Sequence, residues 1–306
     1  MSIETIGSPA LPVAAGTYDT LDAEDANYTT TAGTTSGNNK TLTLRVLWPD
    51  TGDVTTPRPL VVYCSTLGWS SSDSTLYDSL IEQAFVSAGA IAVCVQTRVI
   101  ADEPLSTGEN ASMPAVRRAM KAAILDVNTA LRYVLANYSE HANGVIEPSM
   151  VFLAGMSAGA ITSMAYTFTY PTHPIAGVIQ WSGAFGVEGL GYTSMLRGDN
   201  NYRETYYRTP TCAFLGGADS TIGPTYIELL RTRLSVNSTN IVHYDADGGH
   251  DGVFFDTSGL TDASTIFEAS SNFLIARCRA VTPTTLLRKN TATWRKNWYK
   301  LESRYQ

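Results

Sequence analysis

Residues 150–159, MVFLAGMSAG, join an apolar run to a helical pattern through a turn of small residues. The first five are all apolar, which is typical of a strand buried on both faces of a sheet. Residues 158–170 are predicted to form the helix that follows. G-x-S-x-G at such a strand-to-helix corner holds its serine, here Ser157, above the carboxyl edge of a sheet, where ligands bind in open α/β folds.

Strand and helix patterns alternate on both sides of this corner. The predicted strands cover residues 41–48, 60–64, 90–95, 150–154, 175–181, 212–215 and 241–244. The predicted helices start near residue 74 and cover residues 114–138, 158–170, 224–234 and 263–277. Repeated alternation of this kind predicts an α/β fold with a mostly parallel central sheet and helices on both faces.

A serine nucleophile needs a neighbouring base, which one of the four histidines must supply. His250 lies in DGGHDG, a glycine-flanked loop after the last predicted strand, and this loop opens onto the same sheet edge as Ser157. His141 in a polar turn, His173 in a proline-flanked loop and His243 within a strand are interpreted as structural. The sequence therefore predicts His250 as the base.

The acidic residues around His250 permit another interpretation. Asp245, Asp247 and Asp251 could offer oxygen ligands to calcium, but their spacing does not fit an EF-hand loop, whose glycine stands at position six. We predict no metal site and no cofactor.

A third group should orient the imidazole and stabilise its cation. Asp219 follows a predicted strand in GGADS, and it lies between the serine and the histidine in chain order, as this architecture requires. An ordinary turn aspartate is the other interpretation of Asp219. Glu188, after the preceding strand, is the alternative residue for this role.

Acyl transfer also needs two N–H donors for the developing oxyanion. The predicted donors are the backbone N–H groups of Ala158, directly after Ser157, and of Leu67, with Thr66 as the second choice. Trp69 of the same loop is predicted to line the substrate pocket or to pack the interior. Met156 and Trp181 are also assigned to the pocket.

Residues 42–278 resemble the α/β-hydrolase superfamily, and within it the esterase branch of carboxylesterases, feruloyl-esterase-like and polyester-depolymerase-like enzymes. The segments that carry the resemblance are residues 126–134 leading into LAGMSAGA at 153–160, FLGGAD at 214–219 and GGH at 248–250. The resemblance implies a Ser157–His250–Asp219 triad that hydrolyses a small-molecule or polymeric ester through an acyl-enzyme. The family often has His-Gly before the oxyanion residue, whereas this chain has Ser65-Thr66.

Two other classes of function stay open. A peptidase or an acyltransferase would use the same triad on an amide or with another acyl acceptor. A non-catalytic binding or assembly protein could keep the fold without the activity.

The composition divides the chain of 306 residues into three parts. Residues 1–40 are predicted to be an irregular or edge-pairing leader, and residues 41–280 to be the α/β domain, with 186–209 as a possible cap insertion. Residues 281–306 carry six basic side chains and one acidic one. Because Trp294, Trp298, Leu301 and Tyr305 recur at helical spacing, this tail is predicted to be an amphipathic helix that packs on its own domain or docks on another subunit, a partner or an anionic surface.

Charge and segment patterns limit the partners. A net charge of −7 argues against nucleic-acid binding. Neither a signal peptide nor a membrane span is predicted, and the low charged fraction of 16% is compatible with extracellular or particle-associated use, although no compartment follows. The four cysteines lack metal-ligand spacing and are predicted to be buried thiols rather than a disulfide pair.

Overall fold

A computed structural model of the chain describes residues 20–30, 40–50, 52–75, 78–102, 113–169, 172–184, 209–250 and 265–280. Strands are numbered in chain order over these residues. They are β1 Thr20–Thr30, β2 Lys40–Pro49, β3 Pro57–Cys64, β4 Thr66–Leu67, β5 Ser71–Ser72, β6 Ile91–Val95, β7 Glu140–His141, β8 Gly144–Met156, β9 Gly177–Trp181, β10 Thr211–Gly216 and β11 Ile241–Asp245.

The main sheet has the strand order β1-β2-β6-β3-β8-β9-β10-β11, and β7 pairs with the start of β8. From β6 to β11 along this order all neighbours are parallel, whereas β2 is antiparallel to both β6 and β1. The sheet is therefore mostly parallel, as predicted. Residues 20–30 of the predicted leader follow its edge-pairing alternative, because they form β1 and pair with β2 at the edge of the sheet.

Helices cover both faces of the sheet. They are α1 Asp78–Ile81, which continues into a π-helical turn Glu82–Val86, α2 Met113–Asn137, α3 Ala158–Thr169, α4 Pro224–Ser235 and α5 Ile266–Ala280. The side chains of β3 alternate between two hydrophobic cores, because successive residues of a strand point to opposite faces. One core includes α2, α3 and α4, and the other includes α1 and α5.

A buried ion pair joins the loop after β6 to α2. Nη2 of Arg98 lies 2.9 Å from Oδ1 of Asp126, and the backbone N–H of Arg98 donates to Oδ2 at 2.8 Å. Both side chains are almost fully buried. Since a buried charge without a partner is strongly destabilising, this pair fixes the loop against α2 near the carboxyl edge of the sheet.

The predicted elements agree with the observed ones apart from their ends. The helix expected near residue 74 is the short α1 with its π-helical turn, and β8 begins six residues before the predicted strand. All four cysteines are buried and none of them forms a disulfide, which confirms that prediction. No helix in the described part of the chain is both long and apolar enough to cross a membrane.

Candidate active site

Ser157 forms the corner between β8 and α3. Its φ of +51° lies in the left-handed region that non-glycine residues rarely occupy. The backbone N–H donates to the carbonyl oxygen of Trp181 in β9 at 2.9 Å, and the Ser157 carbonyl accepts the N–H of Ile161 at 3.0 Å. These two bonds hold the strained residue between the sheet and the first turn of α3.

Two glycines allow this corner to form. A Cβ on Gly155 would lie 2.5 Å from the backbone carbonyl carbon of Gly159. A Cβ on Gly159 would lie 2.0 Å from the carbonyl oxygen of Cys64, the last residue of β3. The glycines of G-x-S-x-G therefore let β8, α3 and the end of β3 pack in direct backbone contact beneath Ser157.

Hydrogen bonds connect Asp219, His250 and Ser157 in a line. The carboxylate of Asp219 is fully buried after β10, and its Oδ1 accepts the backbone N–H groups of Thr221 and Ile222, each at 2.9 Å. Its Oδ2 lies 2.7 Å from Nδ1 of His250. Nε2 of the same imidazole lies 3.0 Å from Oγ of Ser157. The structure thus brings together the three side chains predicted from β8, β10 and β11 at one edge of the sheet.

The loops after β10 and β11 are also joined through their backbones. The N–H of Gly217 donates to the carbonyl oxygen of Asp245 at 2.6 Å. A Cβ on Gly216 would lie 2.3 Å from the carbonyl oxygen of Gly248, so this approach requires glycine. His250 lies two residues after Gly248. The contact therefore helps to place its imidazole next to the carboxylate of Asp219.

The predicted oxyanion donors lie on neighbouring segments. Ala158 is the first residue of α3, so its N–H has no acceptor one turn earlier in the helix. The short strand β4 holds Thr66 and Leu67 against this helix start, since a Cβ on Gly159 would lie 3.5 Å from the backbone nitrogen of Thr66. Oγ1 of Thr66 shares a 2.6 Å hydrogen bond with Oγ1 of Thr97 after β6. The choice of Leu67 over Thr66 stays a prediction.

Trp69 anchors the loop that contains these donors. Gly68 and Trp69 both have left-handed φ values, of 55° and 54°, in a turn closed by the N–H of Ser70 and the carbonyl oxygen of Leu67 at 2.9 Å. The Trp69 indole is buried, and its N–H donates to Oγ1 of Thr162 in α3 at 3.2 Å. The indole thus has packing contacts in the interior, and a place of Trp69 on the pocket wall stays a prediction.

The two other predicted pocket residues lie within the core as well. Met156 and Trp181 end β8 and β9, and they are 8% and 1% exposed. The indole of Trp181 stacks on Phe85 at 5.9 Å, and its N–H donates to Oγ of Ser270 in α5 at 3.2 Å. The Trp181 side chain belongs to the core cluster that includes α1 and α5, and its place in the pocket stays a prediction.

The other histidines make contacts away from Ser157. His141 stacks on Trp48 at 4.9 Å, and His243 stacks on Phe214 at 4.7 Å. Nε2 of His173 lies 2.7 Å from the carbonyl oxygen of Pro148, and burial lowers the pKa of this imidazole. These positions agree with their structural interpretation.

Several predicted features lie outside the described residues. They are Glu188 with the rest of the possible cap up to residue 208, Asp251 of the calcium alternative, and the basic tail 281–306. These features stay predictions.

Sequence reasoning missed residues that build the site without a motif of their own. Gly216 and Gly248 belong to the quoted segments GGADS and DGGHDG, but the backbone contact between them was not predicted. Ser182 shows no signal in the sequence, although its hydroxyl contacts the backbone of His250.

Comparisons with solved structures give the fold. A structure of the propionate-bound esterase 2 from the planctomycete Thermogutta terrifontis superposes with a TM-score of 0.57 at 18% identity, over 82% of this chain and 94% of that chain. The same esterase phosphorylated by paraoxon gives a TM-score of 0.54 at 15% identity, over 80% and 90%. A candidate carboxylesterase from Lactobacillus plantarum gives 0.57 at 14% identity, over 85% and 100%.

No protein-family model and no curated protein sequence matches the chain. The structural likeness, together with the strand order and the corner at Ser157, shows that the chain has the α/β-hydrolase fold.

Proposed function

We propose that the protein is a serine-dependent carboxylic-ester hydrolase that works through an acyl-enzyme. The observation that carries this proposal is the hydrogen-bonded line from Asp219 through His250 to Ser157, with distances of 2.7 Å and 3.0 Å. A nucleophile, a base in contact with it and a group that orients the base are the three parts that acyl transfer by serine requires.

The first half of the reaction forms the acyl-enzyme. Asp219 accepts a hydrogen bond from Nδ1–H of His250, which leaves Nε2 as the acceptor that faces Ser157. As Oγ attacks the ester carbonyl carbon, its proton passes to Nε2, and the carbonyl oxygen becomes an oxyanion. The N–H groups of Ala158 and Leu67 are the proposed donors to this oxyanion. The C–O bond to the alcohol then breaks, and the imidazolium returns its proton to the departing alkoxide.

The second half releases the acid. A water molecule gives a proton to Nε2 of His250 and attacks the acyl carbon. The ester bond to Ser157 breaks, and Oγ recovers the proton from the imidazolium. The enzyme returns to its starting state with one ester and one water converted to an acid and an alcohol.

The neighbouring structures suggest where to begin with substrates. The Thermogutta esterase holds propionate in one structure and carries a phosphoryl group from paraoxon in another. We propose that this chain accepts short acyl groups, and that its serine reacts with organophosphorus compounds as well.

Turnover of p-nitrophenyl esters from acetate to decanoate tests the proposal. We expect hydrolysis by the wild type and a loss of at least about 10³-fold in Ser157→Ala. Ser149→Ala is the matched control, because Ser149 is buried and its hydroxyl contacts Glu147 rather than the histidine. Turnover that survives in Ser157→Ala would contradict the proposal. Faster cleavage of matched p-nitroanilides than of the esters would favour a peptidase instead.

A further inference from the structure

Trp181 and Ser182, at the end of β9, contact the backbones of both the proposed nucleophile and the proposed base. The carbonyl oxygen of Trp181 accepts the backbone N–H of Ser157 at 2.9 Å. The hydroxyl of the next residue, Ser182, donates to the backbone carbonyl oxygen of His250 at 2.6 Å. Two adjacent residues thus fix the nucleophile on one side and the base on the other.

The backbone of Ser182 has a conformation that is unfavourable in free energy. Its φ is +49°, a value that a residue with a side chain rarely adopts. Its N–H donates to the carbonyl oxygen of Phe214 in β10 at 3.0 Å, and the residue is fully buried. The hydroxyl is therefore attached to a backbone that is held in place between β9 and β10.

In the described part of the chain, the loop of His250 is also joined to the loop that follows β10. The N–H groups of Gly217 and Ala218, just after β10, donate to the carbonyl oxygens of Asp245 and Gly248, which lie before the histidine in its loop. The described polar contacts of His250 itself are its two ring contacts and the bond from Ser182. Among the described residues, the Ser182 hydroxyl is the side-chain group that bonds to the backbone of His250.

We propose that Ser182 is a positioning residue for His250. It holds the histidine backbone so that Nε2 stays within hydrogen-bonding distance of Ser157 while Nδ1 stays on Asp219. The inference rests on the proposed function, since it concerns the base of that reaction. A small displacement of the base lowers the rate of proton transfer without changing substrate binding.

Two substitutions separate the hydroxyl from the backbone conformation. Ser182→Ala removes the hydroxyl and keeps a Cβ, and Ser182→Gly removes the hydroxyl and relieves the left-handed strain. We expect kcat to fall about 10-fold in both, with KM within about twofold of the wild type. Ser271→Ala is the matched control, because Ser271 is equally buried and donates to the carbonyl oxygen of Ala84 at 2.6 Å, on a different part of the fold. Its kcat should stay within about twofold of the wild type.

A spectroscopic readout tests the same contact without turnover. The proton of the 2.7 Å bond between Nδ1 of His250 and Asp219 should give a resonance far downfield of the amide region, assigned by its absence in His250→Gln. We expect this resonance to shift or broaden in both Ser182 variants and to be unchanged in Ser271→Ala. An unchanged resonance with kcat at the wild-type value would overturn the inference, as would a rise in KM alone. If the wild type hydrolyses no ester, the proposed function fails, and the resonance still decides whether Ser182 positions His250.

Discussion

The two oxygens of the Asp219 carboxylate have separate partners: Oδ1 accepts two backbone N–H groups of its own turn, and Oδ2 lies 2.7 Å from Nδ1 of His250. The turn fixes the direction of the carboxylate, so that the second oxygen faces the imidazole. An aspartate in an ordinary turn would have only the first set of contacts.

Asp219→Asn should therefore impair catalysis far more than folding. The amide oxygen can keep the turn bonds, while the amide N–H₂ faces Nδ1 of His250 and favours the tautomer that carries its proton on Nε2. We expect kcat for an ester to fall by about 10³ to 10⁴, with an almost unchanged urea midpoint.

Asp53→Asn is the control for this substitution. Oδ1 of Asp53 accepts the N–H groups of Thr55 and Thr56 at 2.9 Å and 3.2 Å, which is the same turn pattern without a histidine. Its kcat should match the wild type. Equal effects of the two substitutions would show that Asp219 has only a turn role.

The backbone contact beneath the nucleophile predicts a stability effect. In Gly159→Ala the new methyl group would lie 2.0 Å from the carbonyl oxygen of Cys64, and this neighbour is backbone, which cannot rotate away as a side chain could. We expect the free energy of unfolding to fall by at least about 3 kcal/mol, measured by urea denaturation.

Gly249→Ala gives the comparison, because a Cβ there meets nothing within 4 Å. Its free energy of unfolding should stay within about 0.5 kcal/mol of the wild type. A stable Gly159→Ala protein would mean that α3 and β3 are further apart than described.

The sequence predicted the sheet and the corner because both depend on local patterns. The apolar runs of β3, β6 and β8 and the 3.6-residue period of α2 are visible in any short window. Ser157, His250 and Asp219 could be chosen because each follows a strand that ends at the same edge. For residues 20–30 the composition left an irregular and an edge-pairing leader open, and only the observed pairing with β2 decides between them.

Contacts between distant parts of the chain could not be predicted in this way. The Ser182 bond to His250 spans 68 residues, and the left-handed φ of Ser182 has no sequence signature, since serine is not a residue that favours it. The sequence also does not show that the indole of Trp181, which is assigned to the pocket, stacks on Phe85. Which face of the sheet it points to depended on the register of β9 against β8.

Buried thiols predict how stability changes at alkaline pH. Burial raises the pKa of both Cys64 and Cys278 from 9.0 to about 12. Above pH 9 the unfolded chain releases these protons while the folded chain keeps them. Unfolding is therefore favoured as the pH rises, by about 1.4 kcal/mol per pH unit for each thiol between the two pKa values.

The contribution of the Cys278 thiol can be measured from how the free energy of unfolding changes with pH. Between pH 9.5 and 10.5, chosen as roughly the middle of this window, the free energy of unfolding of Cys278→Ala should fall less steeply than that of the wild type, by up to about 1.4 kcal/mol per pH unit. Equal slopes would mean that the Cys278 thiol ionises in the folded protein as readily as in the unfolded chain.

Reaction with a fluorophosphonate, followed by peptide mass mapping, tests the central claim that His250 activates Ser157. We expect a single adduct on the peptide that contains Ser157 in the wild type, no adduct in Ser157→Ala, and labelling slowed by at least about 10³-fold in His250→Gln. An adduct on a different residue, or a labelling rate in His250→Gln equal to that of the wild type, would contradict the account.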